Sequence, residues 1–293
     1  MWRSDEDKAK RKEIFEDTMA LINKSAELSA AVEESRKNTK FYAADEVLEL
    51  PEGGKEADIT FSGERTYEAA IRLVKENPGT RAAVLNFASA INPGGGVVYG
   101  AGAQEECLCR TSTLYPLLNT AELRNVYYTP NKEHGDNLHT DAVIYTPDVV
   151  ICKSDTNFPE RIPEAEYQKV DVITCAAPNL NQRKTTRYSG DTPMVKELSG
   201  KEQYDLHYKR CKHILSAAAV NQADIVVLGA FGCGAFKNDP EVVAHAMLDA
   251  CKEYRGCFDQ IHFAVVKKQR VNENYLVFEK IIQSGKETAK KHE

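Results

Sequence analysis

Short apolar runs alternate with amphipathic helical segments over most of this chain. Four runs are apolar almost throughout: 81–87 (RAAVLNF), 170–176 (VDVITCA), 225–228 (IVVL) and 260–266 (QIHFAVV). Such runs are typical of strands buried on both faces, which occur in largely parallel sheets covered by helices. The alternation therefore predicts an α/β fold, a three-layer α/β/α sandwich with a mixed, largely parallel sheet.

The same patterns predict where the other elements lie. The predicted helices cover residues 4–37, 66–76, 105–118, 204–221, 240–254 and 272–284. Further short strands are predicted at 57–61, 141–145 and 149–153, with Pro147 separating the last two. Pro51 and the glycines at 53 and 54 mark a turn after the first helical stretch. We therefore predict an N-terminal helical extension (1–55), a main domain (56–285) and a charged C-terminal tail (286–293).

Charge and cysteine content exclude several classes of function. The chain has 38 Lys and Arg residues against 44 Asp and Glu, which gives a net charge of −6. Non-specific electrostatic binding to nucleic acid or to an anionic membrane is therefore not expected. The eight cysteines form no C-x-x-C pair, and the seven histidines are scattered, so no metal site is predicted. The charged N-terminus and the lack of a long apolar run predict a cytoplasmic or other intracellular protein, with the nucleus as an alternative if the source is eukaryotic.

A glycine-rich loop follows the run at 81–87. It reads NFASAINPGGG (86–96), and three consecutive glycines predict positive φ angles or a close approach of the backbone to a ligand. A mobile hairpin tip is the alternative, but Gln104, Glu105 and Glu106 then open an amphipathic helix. Two carboxylates at that point suit either catalysis or stabilisation of a helix N-terminus, and their spacing leaves both open.

A second glycine-rich loop, LGAFGCGAFKNDP (228–240), links the run at 225–228 to a helix. Its glycines at 229, 232 and 234 can turn N–H groups inward to form an anion nest. Phe231 and Phe236 could pack onto the sheet edge or form walls for a sugar or base. Cys233 has no histidine nearby in sequence, which favours a small residue filling the turn over a nucleophile.

Three glycines followed after seven residues by Gln-Glu-Glu resemble the signature of poly(ADP-ribose) glycohydrolases. The surrounding residues resemble the bacterial-type branch of that family. The similar stretches occur in the family's order at 86–115, 141–153, 171–179, 227–244 and 262–266. Together they cover roughly residues 57–284, and the N-terminal helices match more loosely.

This resemblance implies a macrodomain-like fold with an ADP-ribose cleft and hydrolysis of the ribose–ribose O-glycosidic bond in poly(ADP-ribose). Glu106 would be the catalytic acid/base, and Glu105 would orient the terminal ribose hydroxyls. The first glycine loop would close around the distal ribose and diphosphate, and residues 232–236 would hold the diphosphate. The implied ligand-binding residues are Asn86, Asn92, Gly94, Gly95, Gly96, Gln104, Gly229, Phe231, Gly232, Cys233, Gly234, Ala235 and Phe236.

The chemistry of the reaction is compatible with this assignment. Glycosidases commonly place two carboxyl groups on either side of the bond that they break. Because Glu105 and Glu106 are adjacent in sequence, we expect their side chains to diverge, so that Glu106 alone switches from acid to base. No metal or other cofactor is then needed. The expected partners are poly(ADP-ribose) on modified proteins and the ADP-ribose product, without nucleic acid or membrane, and the protein is expected to be a monomer.

Two other functions share these loops. A non-catalytic macrodomain that binds ADP-ribose needs the nest and the fold but does not need Gln104, Glu105 and Glu106. An enzyme that removes mono-ADP-ribose or acts on O-acetyl-ADP-ribose is the second alternative.

Overall fold

The apolar runs form a seven-stranded sheet in the computed structural model, which describes residues 5–181, 196–267 and 272–289. The strands are β1 (Lys40–Tyr42), β2 (Asp58–Ser62), β3 (Ala82–Phe87), β4 (Val143–Ile151), β5 (Gln168–Cys175), β6 (Ile225–Leu228) and β7 (Gln260–Ala264). Their order across the sheet is β1-β4-β5-β3-β6-β7-β2. The five strands from β5 to β2 in that order are parallel, whereas β4 is antiparallel to both β5 and β1. The predicted mixed, largely parallel sheet is confirmed.

Helices cover both faces of this sheet. They are α1 (Asp5–Lys24), α2 (Ala26–Asn38), α3 (Thr66–Glu76), α4 (Gln104–Thr111), α5 (Leu114–Leu118), α6 (Ala121–Leu123), α7 (Thr129–Glu133), α8 (Gly200–Val220), α9 (Pro240–Glu253) and α10 (Glu273–Ala289). One hydrophobic cluster joins the sheet to α8, α9 and α10, and a second joins it to α1 through α5. The result is the predicted three-layer sandwich. Among the described residues, no helix has the length and apolar character needed to cross a membrane.

Two predicted helices are interrupted, one by a side-chain cap and the other by pairing with a strand. The helix predicted at 4–37 is two helices, since Ser25 caps α2 by accepting a hydrogen bond from the Leu28 N–H (3.2 Å). The helix predicted at 105–118 stops at Thr111 and resumes at Leu114. Between them Ser112 forms a β-bridge to Ile151, so pairing with β4 replaces helical hydrogen bonds.

The strands near Pro147 also differ from the prediction. Instead of two strands, β4 is one strand with a bulge between Thr146 and Val149. Asp148 in that bulge has φ +54°, and the bulge accommodates a proline that cannot donate a ladder hydrogen bond. The short edge strand β1 was not predicted, because three residues are too few to show an alternating pattern.

The N-terminal helices contact the rest of the chain closely. The buried Lys153 donates to the Ile14 carbonyl (2.8 Å) and pairs with Asp17 (2.8 Å). Thr18 of α1 donates to the Arg110 carbonyl at the end of α4 (2.6 Å). These contacts fix α1 against α4, although the division of the chain at residue 55 stays a prediction.

Both glycine-rich loops leave the carboxyl ends of adjacent parallel strands. The first follows β3 and the second follows β6, and these strands pair in parallel through Ala82–Ile225 and Val84–Val227. The carboxyl edge of such a sheet is where α/β folds bind their ligands.

Candidate active site

Gln104 fastens the start of α4 to the end of β3. Its Oε1 accepts the Phe87 N–H (2.9 Å), and its Nε2 donates to the Leu85 carbonyl (2.8 Å) and to Thr66 Oγ1 (3.1 Å). Gln104 was predicted to bind the ligand, but its side-chain amide is hydrogen-bonded to β3 and to the start of α3. Its effect is to position the two glutamates that follow it.

Glu105 is buried beneath the first loop, with 3% of its surface exposed. Its Oε2 accepts the Ser89 N–H (2.7 Å), and its Oε1 accepts Asn86 Nδ2 (3.3 Å). Burial raises the pKa of Glu105 to about 8, and the adjacent Glu106 charge acts in the same direction, against these hydrogen bonds. Glu105 therefore retains its proton at neutral pH.

Glu106 connects the start of α4 to the glycine loop. Its Oε2 accepts the Ala103 N–H at the helix N-cap (2.8 Å), and its Oε1 accepts the Gly96 N–H (2.9 Å). The first bond is a helix cap, so the capping interpretation is confirmed for this residue. The hydrogen bond from the Gly96 N–H holds the carboxyl group against the glycine loop, where it could contact a bound ligand.

The two carboxyl groups converge on Gly95, contrary to the expectation that adjacent side chains diverge. A methyl group on Gly95 would lie 2.5 Å from Glu106 Oε1 and 3.0 Å from Glu105 Oε2. They converge because the loop folds back over the first turn of α4, within reach of both side chains. With φ at +59° as well, this position requires glycine.

Helix α1 supports the far end of the same loop. After a 3₁₀ turn at Val97–Tyr99, Gly100 has φ +72°, and its carbonyl accepts a buried hydrogen bond from Arg11 Nε (2.7 Å). A methyl group on Gly100 would overlap the Lys8 carbonyl. The backbone of α1 thus lies directly against the turn.

Gly100→Ala should lower the free energy of unfolding by about 2–4 kcal/mol, because α1 must move and the Arg11 bond is lost. Gly79 is the matched control, since its φ is +90° but nothing lies within 4 Å of an added methyl group. Gly79→Ala should cost about 1–2 kcal/mol, the strain alone. Urea unfolding of both variants measures the difference, and equal losses would show that contact with α1 contributes nothing.

The second loop has backbone donors that are free to bind an anion. Inside it, the Phe231 N–H donates to the Gly229 carbonyl (2.8 Å) and the Cys233 N–H to the Ala230 carbonyl (3.2 Å). Four further N–H groups make no hydrogen bond within the described ranges, those of Gly232, Gly234, Ala235 and Phe236. The loop then enters α9, whose N-cap Asp239 accepts the Glu241 N–H (2.9 Å). Four free N–H groups in one turn support the predicted anion nest.

Asn238 and His207 hold this loop in place, and their pairing was not predicted from the sequence. The buried Asn238 donates through Nδ2 to the carbonyls of Pro178 (2.8 Å) and Gly232 (3.0 Å), and its Oδ1 lies 2.8 Å from His207 Nε2. Burial lowers the pKa of His207 to about 4, so the ring is neutral and Nε2 is its protonated nitrogen. His207 stands 31 residues before Asn238, too far for a local motif.

The other residues predicted in the second loop differ in exposure. Phe231 is buried, with ring centroids 5.7 Å from Phe87 and 5.8 Å from His207, so it packs beneath the loop and joins it to the end of β3. Phe236 is half-buried, and its ring lies 6.3 Å from that of His139. Burial raises the pKa of the Cys233 thiol, which therefore stays protonated, in keeping with a residue that fills the turn.

The two candidate asparagines lie at different depths. Asn86 is fully buried, where its amide donates to Glu105 and to Thr174 Oγ1 (3.2 Å). Asn92 is exposed, and its carbonyl accepts the Gly95 N–H (2.9 Å), which helps shape the loop. Within the residues described, no group of three or more His, Cys, Asp or Glu side chains could hold an ion.

The fold and this site together define a macrodomain-like protein. Two buried carboxyl groups lie beneath one glycine loop, and an anion nest lies at the end of the neighbouring strand. Comparison with known proteins narrows the class further. Residues 12–154 match the family model for the microbial-type PARG catalytic domain, PARG being poly(ADP-ribose) glycohydrolase. No curated protein matches the chain.

Solved structures extend the similarity to nearly the whole chain. The PARG of Thermomonospora curvata is 28% identical, with a TM-score of 0.77 over 92% of this chain and 98% of that one. The PARG of Deinococcus radiodurans, solved with ADP-ribose, is 31% identical, with a TM-score of 0.72 over 86% of this chain and 97% of that one. The chain belongs to the microbial-type poly(ADP-ribose) glycohydrolase family. It is an enzyme, a glycosidase that hydrolyses poly(ADP-ribose).

Proposed function

We propose that the protein cleaves the ribose–ribose O-glycosidic bond of poly(ADP-ribose) beneath Gly95, with Glu106 as the acid and then the base. The convergence of two buried carboxyl groups on Gly95 carries this proposal. The family explains which bond is broken, and the geometry supports which residues act. The expected substrate is the polymer on modified proteins, the product is ADP-ribose, and the enzyme acts as a monomer.

The carboxyl pair supplies the proton that the departing oxygen needs. The two buried carboxyl groups reach the same glycine, so a proton on one of them lies beside the other. The pKa of about 8 at Glu105 keeps that proton in the site at neutral pH. Hydrogen bonds from the Gly96 and Ala103 N–H groups fix the orientation of Glu106.

Cleavage then proceeds without a covalent step. Glu106 donates a proton to the oxygen of the departing ribose as the bond to the anomeric carbon breaks, which leaves an oxocarbenium-like sugar. The resulting carboxylate removes a proton from water, whose oxygen bonds to the anomeric carbon. The products are ADP-ribose and a shortened polymer, and Glu106 is protonated again.

The second loop positions the ADP-ribose unit that is released. The free N–H groups from Gly232 to Phe236 are suited to the two phosphates, and the half-buried Phe236 can pack against a ribose. Backbone donors serve this purpose in a protein whose net charge is −6, since they need no surrounding basic surface. The bound diphosphate would also steady the positive charge that develops on the sugar.

Incubation with an automodified, poly(ADP-ribosyl)ated protein tests this function directly. We expect free ADP-ribose to appear on chromatography as chains shorten, with equal rates in the presence of a metal chelator. An intact polymer together with measurable ADP-ribose binding would identify a non-catalytic macrodomain instead. Removal of single ADP-ribose units while chains persist would identify a mono-ADP-ribosyl hydrolase.

A further inference from the structure

Tyr99 presents an aromatic ring to solvent at the edge of the first glycine loop. Its side chain is 81% exposed, whereas Tyr127 and Phe231 are 1% exposed. The turn that carries it is fixed by hydrogen bonds from the Tyr99 N–H to the Gly96 carbonyl (3.0 Å) and from Arg11 to the Gly100 carbonyl (2.7 Å). A ring on a rigid turn loses little conformational entropy when it binds a partner.

A basic side chain, Arg124, is connected to the same loop through Asn119 and Tyr115. Tyr115 packs against Gly94, where an added methyl group would be 2.7 Å from its ring. The Tyr115 hydroxyl accepts a hydrogen bond from Asn119 Nδ2 (3.2 Å). Arg124 is exposed and donates to Asn119 Oδ1 (2.6 Å), and no carboxylate within the described ranges forms an ion pair with it. Its positive charge is therefore available to an anion.

The turn that carries Tyr99 and the second loop pack against opposite faces of the sheet. Val97 and Tyr115 pack in the hydrophobic cluster on the α1–α5 face of the sheet. Phe231 and Phe236 pack in the cluster on the α8–α10 face. If the released unit occupies the second loop, the face that carries Tyr99 is left for the unit on the other side of the broken bond.

We propose that Tyr99 and Arg124 form a subsite for the neighbouring ADP-ribose unit of the polymer, on the departing side of the bond. This inference rests on the proposed polymer hydrolysis. The adenine of that unit stacks on the Tyr99 ring, because every base offers a flat π-face to an aromatic side chain. Its diphosphate pairs with Arg124, whose guanidinium suits phosphate oxygens.

Tyr99→Ala should raise the KM for polymer by about five- to twentyfold, as expected for the loss of one base–aromatic stack at an exposed site. The Kd for free ADP-ribose should not change, because that ligand occupies only the released-unit side. Tyr99→Phe keeps the ring and should restore most of the affinity. Val47→Ala, at a residue that is 91% exposed in the loop between β1 and β2, is the control for removing an exposed apolar side chain.

Two results would overturn this subsite. One is an unchanged polymer KM in Tyr99→Ala, and the other is a parallel rise in the Kd for ADP-ribose, which would assign Tyr99 to the released-unit side. Polymer binding measured in the Glu106→Gln background separates this inference from the catalytic proposal. If wild type leaves polymer intact, the proposed function fails, whereas either of these two results, measured as binding in that background, overturns the subsite alone.

Discussion

Glu106→Gln should reduce kcat on poly(ADP-ribose) by about a hundred- to ten-thousandfold, the usual contribution of a positioned acid/base. Glutamine cannot donate the proton that the departing ribose oxygen needs. Its carbonyl oxygen can still accept the Gly96 N–H, and the free N–H groups of the second loop are untouched. The Kd for ADP-ribose should therefore stay within about threefold of wild type by calorimetry, well under the tenfold that 1.4 kcal/mol represents.

The structure makes a control necessary, because Glu106 also caps α4. Glu202 occupies the same capping position in α8, where its carboxylate accepts the Ser199 N–H (2.8 Å). Both substitutions to glutamine replace the carboxylate that caps the first turn of a helix. Glu202→Gln should nevertheless keep full activity. If Glu106→Gln loses ADP-ribose binding as severely as turnover, or if Glu202→Gln is equally inactive, Glu106 is not the acid/base.

Glu105→Gln is expected to stabilise the protein at pH 8 by about 2–4 kcal/mol. It should also lower turnover by about a hundredfold, since the ribose loses the group that orients it. The pKa of Glu105 is about 8 in the folded protein, against an ordinary value of 4.5. Between pH 4.5 and 8 the unfolded chain releases this proton while the folded protein retains it. The free energy of unfolding therefore falls as the pH rises through that range.

Glutamine has no proton to release, so the free energy of unfolding of Glu105→Gln does not fall in this way as the pH rises. Its carbonyl oxygen can still accept the Ser89 N–H. Urea unfolding at pH 4.5, 6 and 8 should show a stabilisation that grows with pH and is near zero at pH 4.5. For Glu202, hydrogen bonds from Ser199 lower the pKa, so Glu202→Gln should show the opposite trend. A gain for Glu105→Gln that is the same at every pH would contradict the raised pKa.

The strands and the loops that follow them were largely predictable. Apolar runs located β3, β5, β6 and β7 to within about two residues, and glycine spacing indicated both functional loops. Predictions failed where a contact distant in sequence changed the local structure. Ser112 leaves the helix because Ile151 pairs with it, and β4 passes through Pro147 because a bulge absorbs it.

By itself, the sequence determined the class of fold, the family and the two loops, because periodicity and motif spacing are properties of short stretches of chain. Only the tertiary structure decided how the site residues act on one another. The proton on Glu105 comes from burial beneath the folded loop, and Asn238 is held by a histidine from another helix. Desolvation and hydrogen bonds between distant segments depend on which groups meet after folding, and no local pattern of residues records that.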